Sequence, residues 1–357
     1  MRISSPRYLF VDALRGVASV GVLLAHIVNN EISKTTLDRV LPIPIKELCF
    51  NGQFGVQIFF VLSGFVIALS LSQKPLTTPR AWNFALRRQL RLDPPYFVAL
   101  FALMLLHVAF GRAFPDLKTL ALNLTYLHNL ANVPQILGVA WTLCLEIQFY
   151  LAFVVILALD RLFKARENAP FSMFAVHFVW ITGLISCYLV QSGTPMQLYA
   201  LGPFSWFYFA AGVLCFWCWR GWAPLWTFGA LLLGMTGAAL WSFTHEANFV
   251  SASFEGIEAA VVTALILFVA AGRGTLETWS LGRVGQFAGR VSYSLYLMHA
   301  FTVEALMWTT RALWGETIGA WSGFLLALPV CFAVAQIFYV LIEKPSVQWA
   351  ARFKTDS

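Results

Sequence analysis

Residues 9–28 read LFVDALRGVASVGVLLAHIV. A helix of twenty residues reaches about 30 Å at roughly 1.5 Å per residue. That matches the hydrocarbon core of a bilayer, so Leu9–Val28 is a predicted membrane span. Arg15 and His26 lie eleven residues apart in it, close to three whole turns. They therefore leave one face of one helix, about 16 Å apart along the axis. Asp12 stands one turn before Arg15. Ionisable groups at membrane depth are costly and normally face a bundle interior or a wet cavity, which marks this helix as part of a functional site. The plainer alternative is an Asp12–Arg15 ion pair at the helix end with an unrelated structural histidine.

The rest of the chain repeats the apolar pattern. Of its 357 residues 59% are hydrophobic and 11% charged, with mean hydropathy +0.72, well beyond a soluble domain's apolar share of roughly one half. Ten runs read as spans: Leu9–Val28, Gln53–Ser72, Pro94–Gly111, Val139–Asp160, Ser172–Gln191, Tyr199–Trp219, Ala223–Phe243, Gly256–Ala271, Val291–Thr310 and Ala320–Ile342. The first run has no small-residue cleavage site and reads as a retained span, not a signal peptide. No polar stretch is long enough to bury a core of its own. The predicted fold is all-α, a polytopic membrane helical bundle of about ten transmembrane helices. It forms a single domain over 8–349 with a short cytoplasmic tail, 350–357, and no fused C-terminal soluble domain.

Loop charge sets the expected orientation. With the N-terminus inside, seventeen Lys and Arg residues fall in inner segments, among them Arg2, Arg7, Lys164, Arg166 and Lys354. Only six, Lys34, Arg39, Lys46, Arg112, Lys118 and Arg311, fall in outer loops. This positive-inside bias places both termini in the cytoplasm. It also accounts for the net charge of +7 without a nucleic-acid partner. The segment from Leu117 to Leu137 is the ambiguous stretch, readable as a short re-entrant helix facing outside.

Six cysteines make no disulfide framework, since only Cys49 falls in an outer loop. Cys215 and Cys218 have metal-ligand spacing but lack a second ligand pair, so they read as helix-packing residues and no metal is expected. The chain has no phosphate-binding glycine loop, no HExxH and no GxSxG elbow.

Chemistry concentrates in two further places. AWNFALRRQLRLDPPY, residues 81–96, puts Arg87, Arg88 and Arg91 on one cationic helical face near the inner membrane surface, with Pro94 and Pro95 expected to break that helix and restart it as a span. Basic residues beside a span are ordinarily topology anchors. Here Arg15 approaches the same surface, and forked guanidiniums suit phosphate recognition. WTLCLEIQFY, residues 141–150, carries Glu146 about 10 Å down from the outer end of its span. A carboxylate there must be paired, protonated or wet. Trp141 and Tyr150 read as interfacial and packing aromatics.

These runs, together with GQFGVQIFFVLSGFVIA, VSYSLYLMHAFTV and a late EKP, resemble in order and spacing the acyltransferase 3 family of bacterial membrane O-acyltransferases. The likeness extends from about Tyr8 to Trp349. It implies a ten-helix bundle that moves acyl groups, often acetyl from acetyl-CoA, onto hydroxyls of glycans or glycosylated metabolites. It maps the family's functional arginine and histidine of the first helix onto Arg15 and His26, its RxxR onto Arg88 and Arg91, and its carboxylate onto Glu146. His299 also matches a family position. Thr142 stands where serine is commoner, and Asp93 where a bulky residue is frequent.

The expected mechanism is direct transfer. His26 acts as general base on an acceptor hydroxyl, Glu146 orients it or compensates its charge, with Asp12 the second choice, and Arg15, Arg88 and Arg91 bind the donor. Trp141, His299 and Glu304 support the site, although His299 and Glu304 point about 140° apart on their helix. His107, His128, His177 and His245 read as solvated or packing groups, and Ser63 as a packing residue beside Gly64 with no base near it. The expected donor is acyl-CoA, acetyl-CoA foremost, with no permanently bound cofactor. The acceptor is a glycan or glycolipid, the setting is the bacterial inner membrane, and a separate periplasmic transferase is a candidate partner. Two other classes stay open at this point: a proton-coupled transporter or flippase of an anionic envelope precursor, and an inert scaffolding subunit. The first is disfavoured by the lack of internal repeats.

Overall fold

The computed structural model describes residues 8–30, 32, 34–109, 111, 113–163, 169–191, 202–244 and 254–353. Arg2, Arg7, Arg112, Lys164, Arg166, Lys354, His245 and the start of the predicted span at Tyr199 lie outside the described residues. Among those described, every regular element is helical: α1 (Leu9–Val28), α2 (Lys34–Val40), α3 (Ile43–Asn51), α4 (Gly55–Leu71), α5 (Thr78–Ala109), α6 (Leu117–Leu124), α7 (Trp141–Asp160), α8 (Met173–Gln191), α9 (Gly202–Trp219), α10 (Leu225–Thr244), α11 (Phe254–Gly272), α12 (Gly282–Trp314), α13 (Glu316–Phe338) and α14 (Lys344–Arg352). Eight helical stretches are long and apolar enough to cross a membrane. The other two predicted spans fall on α9 and α12, helices of 18 and 33 residues. The protein is an all-α, multi-pass membrane protein.

Two packed groups make the bundle. One gathers α1, α12 and α13 around Leu23, Ile27, Val291, Leu295 and Ala327. The other stacks α4, α8, α9, α10 and α11 around aromatic side chains such as Phe65, Phe207, Phe216 and Trp217. In lipid no hydrophobic force draws helices together, so close approach depends on small residues. A Cβ on Gly289 of α12 would sit 1.9 Å from the Asp12 carbonyl oxygen of α1. A Cβ on Gly64 of α4 would sit 2.0 Å from the Phe209 oxygen of α9, and one on Gly212 2.0 Å from the Val61 oxygen. The crossing is reciprocal, each glycine admitting the other helix's backbone.

The expected break at Pro94–Pro95 does not occur: α5 runs through both prolines as one helix. Each proline removes an N–H, but neighbouring helices can hold the turn where that happens. Tyr293 Oη donates to the Leu92 carbonyl at 2.9 Å and Tyr126 Oη to Asp93 Oδ1 at 2.8 Å, clamping the turn from two sides. Continuity matters for function because Arg88 and Arg91 now belong to the same rigid helix as the span.

The ambiguous stretch folds onto α5. Asp116 caps α6, accepting from Thr119 N at 2.7 Å and Thr119 Oγ1 at 3.1 Å, and these bonds hold its carboxyl below the usual carboxylate range. Buried Asn123 then ties the segment down. Its Nδ2 donates to the Pro134 carbonyl, its Oδ1 accepts from Ile136 N, and its own carbonyl accepts from Tyr96 Oη.

Candidate active site

Between the two groups lies a cavity of about 100 Å³, lined from five helices. α1 contributes Arg15 and Val22, α4 Ser63, α5 Arg88 and Arg91, α7 Thr142 and Glu146, and α12 Ser292, Tyr293 and Tyr296. Arg15, Arg88, Arg91 and Glu146, singled out separately in the sequence, thus share one chamber. Arg88 and Arg91 do not sit on an open inner surface. Their Nε atoms are shut off from solvent and have no hydrogen-bond partner, as has Ser292 Oγ. Buried donors without partners are rare and need an explanation.

Glu146 is held from two sides. Ser63 Oγ donates to its Oε1 at 2.5 Å and Tyr150 Oη donates to the same oxygen. The Arg88 guanidinium lies 4.5 Å from the Tyr150 ring centroid, a cation–π contact, and within charge range of Glu146. Two sequence readings change here. Ser63 does have a carboxylate beside it, a pairing that depends on how α4 and α7 meet, and Tyr150 is a polar member of the site, bonded to Glu146 one turn away on its own helix.

A second carboxylate was missed altogether. Between α13 and α14 the helix widens into a π turn over Tyr339–Glu343, a feature often found at functional sites. Glu343, 3% exposed, accepts from Ser294 N at 3.1 Å and Ser294 Oγ at 2.5 Å, and faces Arg91 and Arg15 across the chamber. Its only sequence signal was the EKP triplet. Three guanidiniums and one carboxylate therefore line the chamber, with Glu343 in charge range of two of the arginines, a formal surplus of one positive charge for the five groups together.

His26 lies beyond the upper end of this cavity, one turn above Val22. Its side chain is exposed although protein crowds most of its flanks, leaving a recess on the helix face that Arg15 and Val22 also occupy. The expected His26–Glu146 pairing is not what the structure forms. Glu146 is engaged by Ser63 and Tyr150, and the His26 ring instead meets His299 edge to face, centroids 4.7 Å apart. The packing of α1 along α12 brings these histidines together.

The remaining predicted members take peripheral places. The Asp12 carbonyl lies under Gly289, Trp141 opens α7 with its ring edge-on to Phe60 at 6.4 Å, and Glu304 is exposed on the far side of α12 from His299. His128 is fully buried against Cys144 Sγ at 3.3 Å and His177 accepts from Trp180 Nε1 at 3.0 Å, so both are packing groups. Cys215 and Cys218 turn their thiols to the carbonyls of Ala264 and Pro224.

A helical membrane bundle with a basic cavity on one side of α1 and a histidine pair one turn further along the same helix is the class of protein these observations define. The chain matches the acyltransferase domain of the acyltransferase 3 family over residues 8–340 and belongs to that family. It is similar to Nodulation protein 10 of Rhizobium leguminosarum bv. viciae, 26% identical over 325 residues that cover 85% of this chain and 84% of the relative. No solved structure matches it. The protein is a membrane acyltransferase, and the transporter and scaffold readings give way to that assignment.

Proposed function

We propose that the protein moves an acyl group, acetyl foremost, from acyl-CoA in the cytoplasm to a hydroxyl of a surface or periplasmic glycan or glycosylated metabolite. It would do so in the bacterial inner membrane, as a bundle of ten spans with both termini inside. The observation that carries this reading is the chamber. It runs along α1 from Arg15 to Val22, with guanidiniums at one end and His26 one turn beyond the other. The two residues are about 16 Å apart along the helix, of the order of an extended pantetheine arm.

A cavity of about 100 Å³ is in the size class of the ~150 Å³ cavities that take a benzene-sized guest. It suits a narrow chain and its thioester. In this scheme the nucleotide stays on the cytoplasmic side, with phosphates drawn to the arginines. Surplus positive charge and two unpartnered Nε groups favour an anionic ligand there.

Arg15, Arg88 and Arg91 hold and orient the donor, and Glu343 and Glu146 keep the guanidiniums spread and in place. The acceptor hydroxyl enters the His26 recess from the outer side. His26 takes its proton, the alkoxide oxygen attacks the thioester carbonyl, the C–S bond breaks, and the same imidazole returns the proton to the thiolate. The lipid bilayer is the protein's medium, and a separate periplasmic transferase is the proposed partner for any later transfer of the acylated product.

Proteoliposomes with acyl-CoA confined to one face test the scheme. Transfer to an outer acceptor is expected only with donor on the cytoplasmic face. Transfer only from the outer face overturns the threading of the donor.

A further inference from the structure

The His26–Glu146 pairing expected from sequence leaves a vacancy in the mechanism when it fails to form: something else must orient the imidazole. We infer that His299 is the positioning residue for His26, its Nε2 accepting the N–H that His26 turns away from the substrates. This rests on the general-base reading of His26 given above.

His299 is 1% exposed and sits behind His26, whereas His26 itself opens to the recess. His299 Nδ1 lies 3.0 Å from the Leu295 carbonyl and 2.8 Å from the Tyr296 carbonyl, both on its own helix. Carbonyl oxygens only accept, so Nδ1 must carry the proton. That assigns the tautomer: Nε2 is a bare acceptor. It is also buried without a partner, the kind of orphan that a native interior does not leave idle. With one edge of the ring tied to α12, the other edge is turned off that helix, and the ring it meets is that of His26, at 4.7 Å and 61°.

The chemistry follows. When His26 takes the acceptor's proton it becomes an imidazolium with two N–H groups. One stays near the reacting atoms and returns its proton to the thiolate; the other donates to His299 Nε2. His299 gains no proton and stays neutral, so each turnover leaves both rings as they began. A neutral acceptor suits a site where, among the described residues, no carboxylate pairs with His26, because it stabilises the charge that develops without a buried counter-charge at rest.

The test uses the full chain in nanodiscs with histidine ¹⁵N labelling. In the parent, His299 should show the Nδ1–H tautomer; an Nε2–H tautomer overturns the inference without any mutation. His299→Phe keeps a ring and removes the acceptor. It should lower kcat about 10- to 100-fold, the range of one hydrogen bond to a charged group, with KM for donor and acceptor unchanged and the His26 nitrogen shifts displaced. His299→Gln places an amide oxygen near the Nε2 position and should recover most of the rate. A parental kcat in His299→Phe, with His26 shifts unmoved, overturns the pairing. If His26→Ala is inactive in that case, the base reading stands alone. If His26→Ala is active while His299→Phe still moves the His26 shifts, the base reading falls and the ring pairing survives.

Discussion

The arginine chamber and the histidine recess stand on the same face of α1 and are built on opposite principles. The chamber gathers Arg15, Arg88, Arg91 and Glu146 from three helices around a space of about 100 Å³, with Glu343 of the π turn beside it and the Nε donors of Arg88 and Arg91 left unmatched. The recess holds two imidazoles and, among the described residues, no carboxylate in contact with either. Charge that waits for a counter-charge suits binding. A neutral base against a neutral acceptor suits proton transfer, where charge must appear and vanish within each turnover. The separation teaches that one helix can set binding and chemistry apart by about 16 Å.

Removing His26 gives the sharpest test of that division. His26→Ala should lower acyl transfer about 10²- to 10⁴-fold, while acyl-CoA affinity measured by equilibrium binding stays within about twofold, given that the variant inserts normally. Transfer near the parental rate would falsify the recess as the place of chemistry.

Glu146 tests where the boundary runs. Glu146→Gln keeps an acceptor for Ser63 and Tyr150 but loses the charge that faces Arg88. Turnover should fall by roughly 10²-fold if the charge shapes the transition-state environment. Should only donor affinity change, the carboxylate belongs wholly to the chamber and the two regions are more independent than proposed.

Arg88→Ala and Arg91→Ala should each weaken acyl-CoA binding by about 10-fold or more, the worth of a charge-assisted hydrogen bond. Lysine should restore only part of this, since a point charge lacks the fork. Because these side chains lie inside the bundle, raising salt should weaken binding less than it would at an exposed basic patch. Parental affinity in both alanine variants would return them to topology anchors and dissolve the comparison.

The smallest effect is expected at Glu343. Glu343→Gln keeps the bonds from Ser294 but releases the hold on Arg91 and Arg15, so donor affinity should drop severalfold while kcat at saturation is spared. A loss in kcat alone, read from full saturation curves, would place Glu343 with the recess.

Much of this was legible because it is local. The bounds of α1 match the predicted span at both ends, since a hydrophobic run and a helical rise decide them. Arg15 and His26 could be placed on one face because eleven residues make nearly whole turns. Pro94 and Pro95 misled because a proline's local cost is read from the chain, whereas Tyr293 and Tyr126, which hold that turn, come from distant segments.

The sequence by itself determined the medium, the helices, the family likeness and the residue types able to bind a phosphate and move a proton. These depend on composition and on spacings within one helix, which every residue carries with it. Only the tertiary structure decided the pairings. His26 and His299 are 273 positions apart, Glu146 found Ser63 instead of His26, and Glu343 came within charge range of Arg91 and Arg15. Such contacts follow from where Gly289 lets α12 close on α1 and where Gly64 and Gly212 let α4 cross α9, a matter of backbone approach that no spacing along the chain records.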